Sequence, residues 1–303
     1  MEEQGLCPPS VSLLIKNFGG LIMVRTFLIF IFLGLAFSVN GNAQVIEEPR
    51  DGFYDRMMIQ EKRPAVLPYV READVLWAKR VWQVIDLREK MNQTLYFPIN
   101  PSDGRRNLIQ VLMDGIREGS ITAYDVTTDD FTVPLSVDAL MSQLERTETI
   151  TAQRPEPPYE EFDTTITISF DPADVMRYRI KEEWFFDSKR SVLDVRILGI
   201  CPVREAIDPV TGESRGDEPL FWVYYPEARN VLVNAEVFNR HNDAQRISYD
   251  DLFIRRFFSS YIYKESSVHD RRITEYYSGL DALLEAERVK EEIRNFEHDL
   301  WEW

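Results

Sequence analysis

M-R-Y-R-I-K-E-E-W-F-F-D-S-K-R-S-V-L-D-V-R-I-L-G-I-C, residues 176–201, decides the fold. The run from Met176 to Asp187 and the run from Val192 to Cys201 are rich in β-branched and aromatic residues, and Ser188-Lys189-Arg190-Ser191 separates them. That pattern predicts a β-hairpin. Just upstream, Ile166, Ile168 and Phe170 alternate with Thr165, Thr167 and Ser169, as a strand buried on one face does. Downstream, Leu220-Phe221-Trp222-Val223-Tyr224-Tyr225 has the composition of a further strand. Neighbouring residues of a strand point to opposite faces. The adjacent aromatics Trp184-Phe185-Phe186 and Phe221-Trp222 therefore predict a sheet covered on both sides, by this chain or by a partner.

Helical periodicity flanks these strands. Trp77, Val81, Val84 and Ile85 predict a helix over Arg71–Met91, and Leu108, Ile109, Leu112, Met113 and Ile116 predict another over Arg106–Glu118, with Gly119 at its end. Ile121–Val126 reads as a short strand, and Ser136–Arg146 as a helix capped by Ser136. After Pro226, helices are expected over Glu227–Phe238, Tyr249–Ser260 and Arg271–Leu300. The last carries Ala282, Ala286, Val289, Ile293, Phe296, Leu300 and Trp303 at alternating steps of 4 and 3, one continuous seam. The expected fold is α+β: a small antiparallel sheet of about four main strands covered by helices, with an extended N-terminal arm and a long C-terminal helix.

Composition divides the chain further. Arg25, the apolar run Phe27–Phe37 and Gly41-Asn42-Ala43 have the layout of a secretory signal cut after Ala43, with Met23 as the expected start. Residues 1–43 are thus read as an upstream extension and cleaved signal. Residues 44–70, punctuated by Pro49, Pro64 and Pro68, form the arm; 71–146 a mainly helical part; 147–161 a Pro-rich linker or excursion; 162–303 an α+β part, with Val203–Glu218 a loop within it. The apolar run is too short to cross a bilayer, and no cysteine stands at the cleavage point to carry a lipid. A net charge of −16 argues against nucleic acid and against direct attachment to an anionic membrane.

No motif assembles chemistry. Past the signal only Cys201 remains of the cysteines, at the end of an apolar run where a small buried hydrophobe is expected. His241, His269 and His298 stand in no metal-ligand pair. The doublet Asp250-Asp251 follows Ser248 as helix-capping residues would, Asp129-Asp130 is a second acidic pair, and Asp208–Glu213 lacks the spacing of a calcium loop. No catalytic residue, cofactor or metal is expected. The candidates for contact are aromatic: Trp184, Trp222, Trp301 and Trp303, with the arm and the last helix beside them.

Five stretches carry a family resemblance: R-E-A-D-V-L-W-A-K-R-V-W-Q-V-I-D-L-R-E-K from Arg71, E-E-W-F-F-D-S-K-R-S-V-L-D-V-R-I-L-G-I from Glu182, L-F-W-V-Y-Y-P-E-A-R from Leu220, F-S-S-Y-I-Y-K-E-S from Phe258, and D-A-L-L-E-A-E-R-V-K-E-E-I-R-N-F-E-H-D-L-W-E-W from Asp281. They resemble the GldN/PorN family of the gliding-motility and type IX secretion apparatus of Bacteroidetes. The resemblance implies a non-enzymatic, self-associating subunit of a periplasmic ring beneath the outer membrane. Its implied partners are a ring lipoprotein (GldK/PorK-like) and the periplasmic region of a motor protein (GldM/PorM-like). The competing expectation is a periplasmic peptide- or glycan-binding module with Trp184 or Trp222 as a stacking platform.

Overall fold

The stretch from Met176 to Cys201 folds as the expected hairpin and forms the middle of the sheet. The computed structural model describes residues 59, 61–102, 104–153, 161–168, 170–207, 214–239, 242 and 244–300. Residues 1–43, read as an upstream extension and signal, most of the arm, and Trp301 and Trp303 lie outside these residues.

In chain order the elements are β1 (Val75–Asp86), α1 (Gln93–Tyr96), α2 (Leu108–Arg117), β2 (Ala123–Tyr124), β3 (Pro134–Leu135), α3 (Val137–Leu144), β4 (Arg146–Gln153) and β5 (Glu161–Ile168). Then follow β6 (Val175–Asp187), β7 (Val192–Ile207), β8 (Ser214–Pro219), β9 (Trp222–Tyr224) and α4 (Tyr225–Leu232). The last are β10 (Glu236–Val237), β11 (Ile247–Ser248), α5 (Tyr249–Ile254), β12 (Tyr261–Glu265) and α6 (Leu280–Asp299). The fold is α+β, with an antiparallel main sheet and a long C-terminal helix.

That sheet has eight strands among the described residues, where about four were expected. Its order is β12-β1-β6-β7-β9-β2-β3, with β8 also pairing with β7. The largest correction is β1, read from sequence as a helix over Arg71–Met91. Trp77, Val81, Val84 and Ile85 do satisfy helical spacing. Yet Val81 and Ile85 point to one face of the sheet, Trp82 and Val84 to the other, and all four are buried. A strand covered on both faces reads as a continuous apolar run, which periodicity cannot separate from a helix.

Val203–Glu218, expected as a loop, holds the end of β7 and the start of β8, paired from Val203↔Pro219 to Ile207↔Ser214. Within 147–161, residues 147–153 belong to β4, which pairs with β5 from Arg146↔Ile168 to Gln153↔Glu161. The helix expected over Glu227–Phe238 stops at Leu232, and that over Tyr249–Ser260 at Ile254. Tyr261–Glu265 then returns as β12 beside β1, a strand that the sequence pattern did not single out.

Helices cover one face of the sheet in two places. Ile85, Tyr178, Ile180, Ile200 and Val223 pack in a core with α2, α4 and α5. Further along the same strands, Val81, Ile262, Trp77, Trp184 and Leu193 pack under α6. The seam of α6 thus closes on its own sheet: Ala286, Val289 and Ile293 are buried, and Phe296 stacks on Trp77 with centroids 4.5 Å apart. Lys79 of β1 fastens the helix from below, 2.9 Å from Glu265 and 3.4 Å from Glu292. On the opposite face, Trp82, Cys201, Val203 and Trp222 are covered by Tyr124, Val126, Phe131 and Tyr263.

Candidate functional site

The residues with reactive side chains are mostly tied into the scaffold. Cys201 is fully buried in β7, and burial pushes its thiol up to about 12. Such a thiol stays protonated at neutral pH and is a poor nucleophile. Asp250 accepts from the Tyr225 hydroxyl at 2.8 Å and from the Arg229 guanidinium at 2.9 Å, all within the core. Asp251 forms a capping box with Ser248 and an ion pair with Lys62. Asp129 accepts the indole N–H of Trp82 and lies 3.3 Å from Lys181. No group of three or more His, Cys, Asp or Glu among the described residues could hold a metal ion. His269 and His298 are exposed; His241 and residues 208–213 lie outside the described residues.

A cleft of about 450 Å³ opens where α6 passes the connection from α5 to β12. Met91, Trp184, Ile262 and Ile293 give it apolar walls, and the exposed side chains of Glu287, Lys290, Glu291 and Arg294 line its rim. Its polar floor is a network around Glu182, which is fully buried in β6. Arg256 donates to one carboxylate oxygen at 2.7 Å, while Gln83 and Trp184 donate to the other at 2.8 Å and 3.2 Å. Ser260 donates in turn to Gln83. Four hydrogen bonds joined in this way satisfy the buried carboxylate and make the floor of the recess rigid.

The aromatic candidates separate by face. Trp184 is half-buried at the cleft, with the Arg256 guanidinium over its ring at 5.1 Å. Arg256 also lies 5.1 Å from the Phe258 ring, so one cation is held by two aromatic groups. Trp222 sits on the other face, only 4% exposed, with Phe131 edge-on at 6.2 Å. Its ring is spent on the chain's own packing, and the structure does not bring it together with Trp184.

The last helix is one of the expected contact elements, and at the start of α6 it carries a surface that the sequence pattern did not single out. Leu280, Leu283 and Leu284 are exposed, off the buried seam, and Tyr276 and Tyr277, just before them in the chain, are exposed too. Three leucines outside the seam of an otherwise charged helix were the available signal. The described part of the arm rests on its own chain, with Arg229 donating to the Ala65 carbonyl at 2.7 Å and Arg196 to that of Pro68 at 3.3 Å. Val66 and Tyr69 of the arm point outward. No described helix is long and apolar enough to cross a membrane.

Compared with known families, residues 70–302 match the family model described as "Gliding motility associated protein GldN". No curated protein matches the chain.

Proposed function

Because the chain belongs to the gliding-motility-associated GldN family, we propose that it is a non-enzymatic structural subunit of the type IX secretion and gliding machinery. In this reading it lies in the periplasm as part of a ring, held at the outer membrane by a ring lipoprotein and linked to the periplasmic region of an inner-membrane motor protein. The family match across most of the chain is the observation that carries it. Two further features support it. The acidic doublets and Cys201 serve the scaffold, and an apolar surface of Leu280, Leu283 and Leu284 stands exposed on a well-anchored helix. Contiguous exposed apolar patches are a feature of contact sites between proteins.

The test is co-purification of the tagged chain with the outer-membrane fraction, with and without the lipoprotein gene, alongside secretion assays in a strain lacking this chain and any paralogue. Lipoprotein-dependent recovery and lost secretion are the expected results. Intact secretion in the deletion strain would sink the proposal.

A further inference from the structure

On the sheet face away from α6 lies a second recess of about 350 Å³, and its polar groups are unevenly matched. Its three carboxylates are all engaged: Asp129 by Trp82 and Lys181, Asp130 by Lys181 at 3.8 Å, and Asp270 by Lys264 at 2.7 Å. Two of its guanidiniums are not. Arg179 of β6 and Arg272, in the segment leading to α6, have no carboxylate partner among the described residues, although most arginines of this acidic chain are ion-paired. Tyr263 of β12 completes the set, because its hydroxyl has no hydrogen-bond partner among the described residues.

Three groups that donate hydrogen bonds therefore line one recess without an acceptor. Arg179 is half-buried on strand β6 with its guanidinium over the Tyr263 ring at 5.4 Å, which holds it in place before any ligand arrives. Burial raises the Tyr263 phenol above its ordinary range, so it stays protonated and donates at neutral pH. The walls add Trp82 and Trp222. Guanidinium groups favour planar oxyanions that accept two parallel N–H bonds, which is the geometry of a carboxylate.

We propose that the recess between Arg179, Arg272 and Tyr263 is a binding site for a carboxylate group. It takes the end of an acidic side chain or a small free dicarboxylate, and it goes beyond the assembly role proposed above, on which it does not depend. The neighbouring Arg271 serves as an internal control, since its guanidinium lies over Tyr276, 5.2 Å from the ring centroid.

The experiment follows the arginine and tryptophan side-chain N–H resonances of the full chain during two titrations. One uses succinate; the other uses the blocked peptide Gly-Asp-Gly-Asp-Gly, with its Asn counterpart as reference. Saturable shifts with either carboxylate probe, and none with the Asn peptide, are the expected result. Preference for succinate identifies a small-molecule site; preference for the peptide identifies an acidic protein segment. Arg179→Gln and Arg272→Gln should each lower affinity about tenfold or more, and Arg271→Gln should leave it unchanged. Arg272 is exposed, so its variant reports even if Arg179→Gln fails to fold. Absence of saturation with both probes, or equal affinity in Arg272→Gln, overturns the assignment.

Discussion

The Arg256 guanidinium donates to the Glu182 carboxylate at 2.7 Å, and that carboxylate is entirely shielded from solvent. Removing the cation would leave a buried anion with only the neutral donors Gln83 and Trp184. Arg256→Ala should therefore cost about 3–5 kcal/mol in urea unfolding, whereas the exposed neighbour in Arg255→Ala should stay within about 0.5 kcal/mol. A loss below about 1 kcal/mol for Arg256→Ala would show that the pair contributes little.

The two sides of α6 should separate stability from assembly. Ile293 is buried against the sheet, so Ile293→Ala should lose about 2–5 kcal/mol. Leu284 is exposed, and Leu284→Ser should change stability by about 0.5 kcal/mol or less. If the exposed leucines form a contact, the Leu284→Ser protein should nonetheless be recovered poorly with its partners from membrane fractions. Normal recovery of a folded variant would move the contact elsewhere.

Gly199 offers a test of close packing. A Cβ added there would lie 2.4 Å from the tip of the Phe131 ring and 3.2 Å from the Val223 carbonyl oxygen. Gly199→Ala should destabilise by about 1–3 kcal/mol. Adding Phe131→Leu should recover part of that loss, because the clash is mainly with the ring. Equal losses for the single and double variants would place the strain in the backbone.

Acid should weaken the fold through particular carboxylates. The hydrogen bond from Arg190 holds Asp187 below its ordinary range against the opposing effect of burial, with backbone N–H groups of Arg190 and Lys189 adding to it. For Asp251, burial acts upward but is outweighed by hydrogen bonds from Lys62 and Ser248. Both folded-state values are depressed, so the stability they supply is present above the unfolded carboxylate value of about 3.9. It is lost as pH falls through the lower folded values. Urea midpoints should thus be level near pH 6 and fall below about pH 4, with a shallower acid limb in Asp187→Asn. An unchanged limb in that variant would exclude Asp187 as a contributor.

What the sequence disclosed depended on whether an element had one wet face. The seam of α6 and the stripe of α2 were legible because charged residues occupy their other sides. β1 was not, because Val81–Ile85 is buried on both faces and loses the alternation that marks a strand. β8 is polar along its length and is held by its ladder with β7, so its composition imitates a loop. At the cleft, Trp184 could be singled out as an aromatic in a dense cluster. Glu182 could not, since it looks like an ordinary solvated acid until Arg256, 74 residues away, is brought beside it.

The place of β12 has a temporal consequence. β1 pairs with β6 on one side and with Tyr261–Glu265 on the other, Gln83 facing Ile262. A ribosome that has made β1 must still add most of the chain before that second edge can close. Non-local pairing of this kind is slow and comes late. Until its distal strand arrives, β1 therefore keeps one edge unpaired, even when its pairing with β6 has already formed.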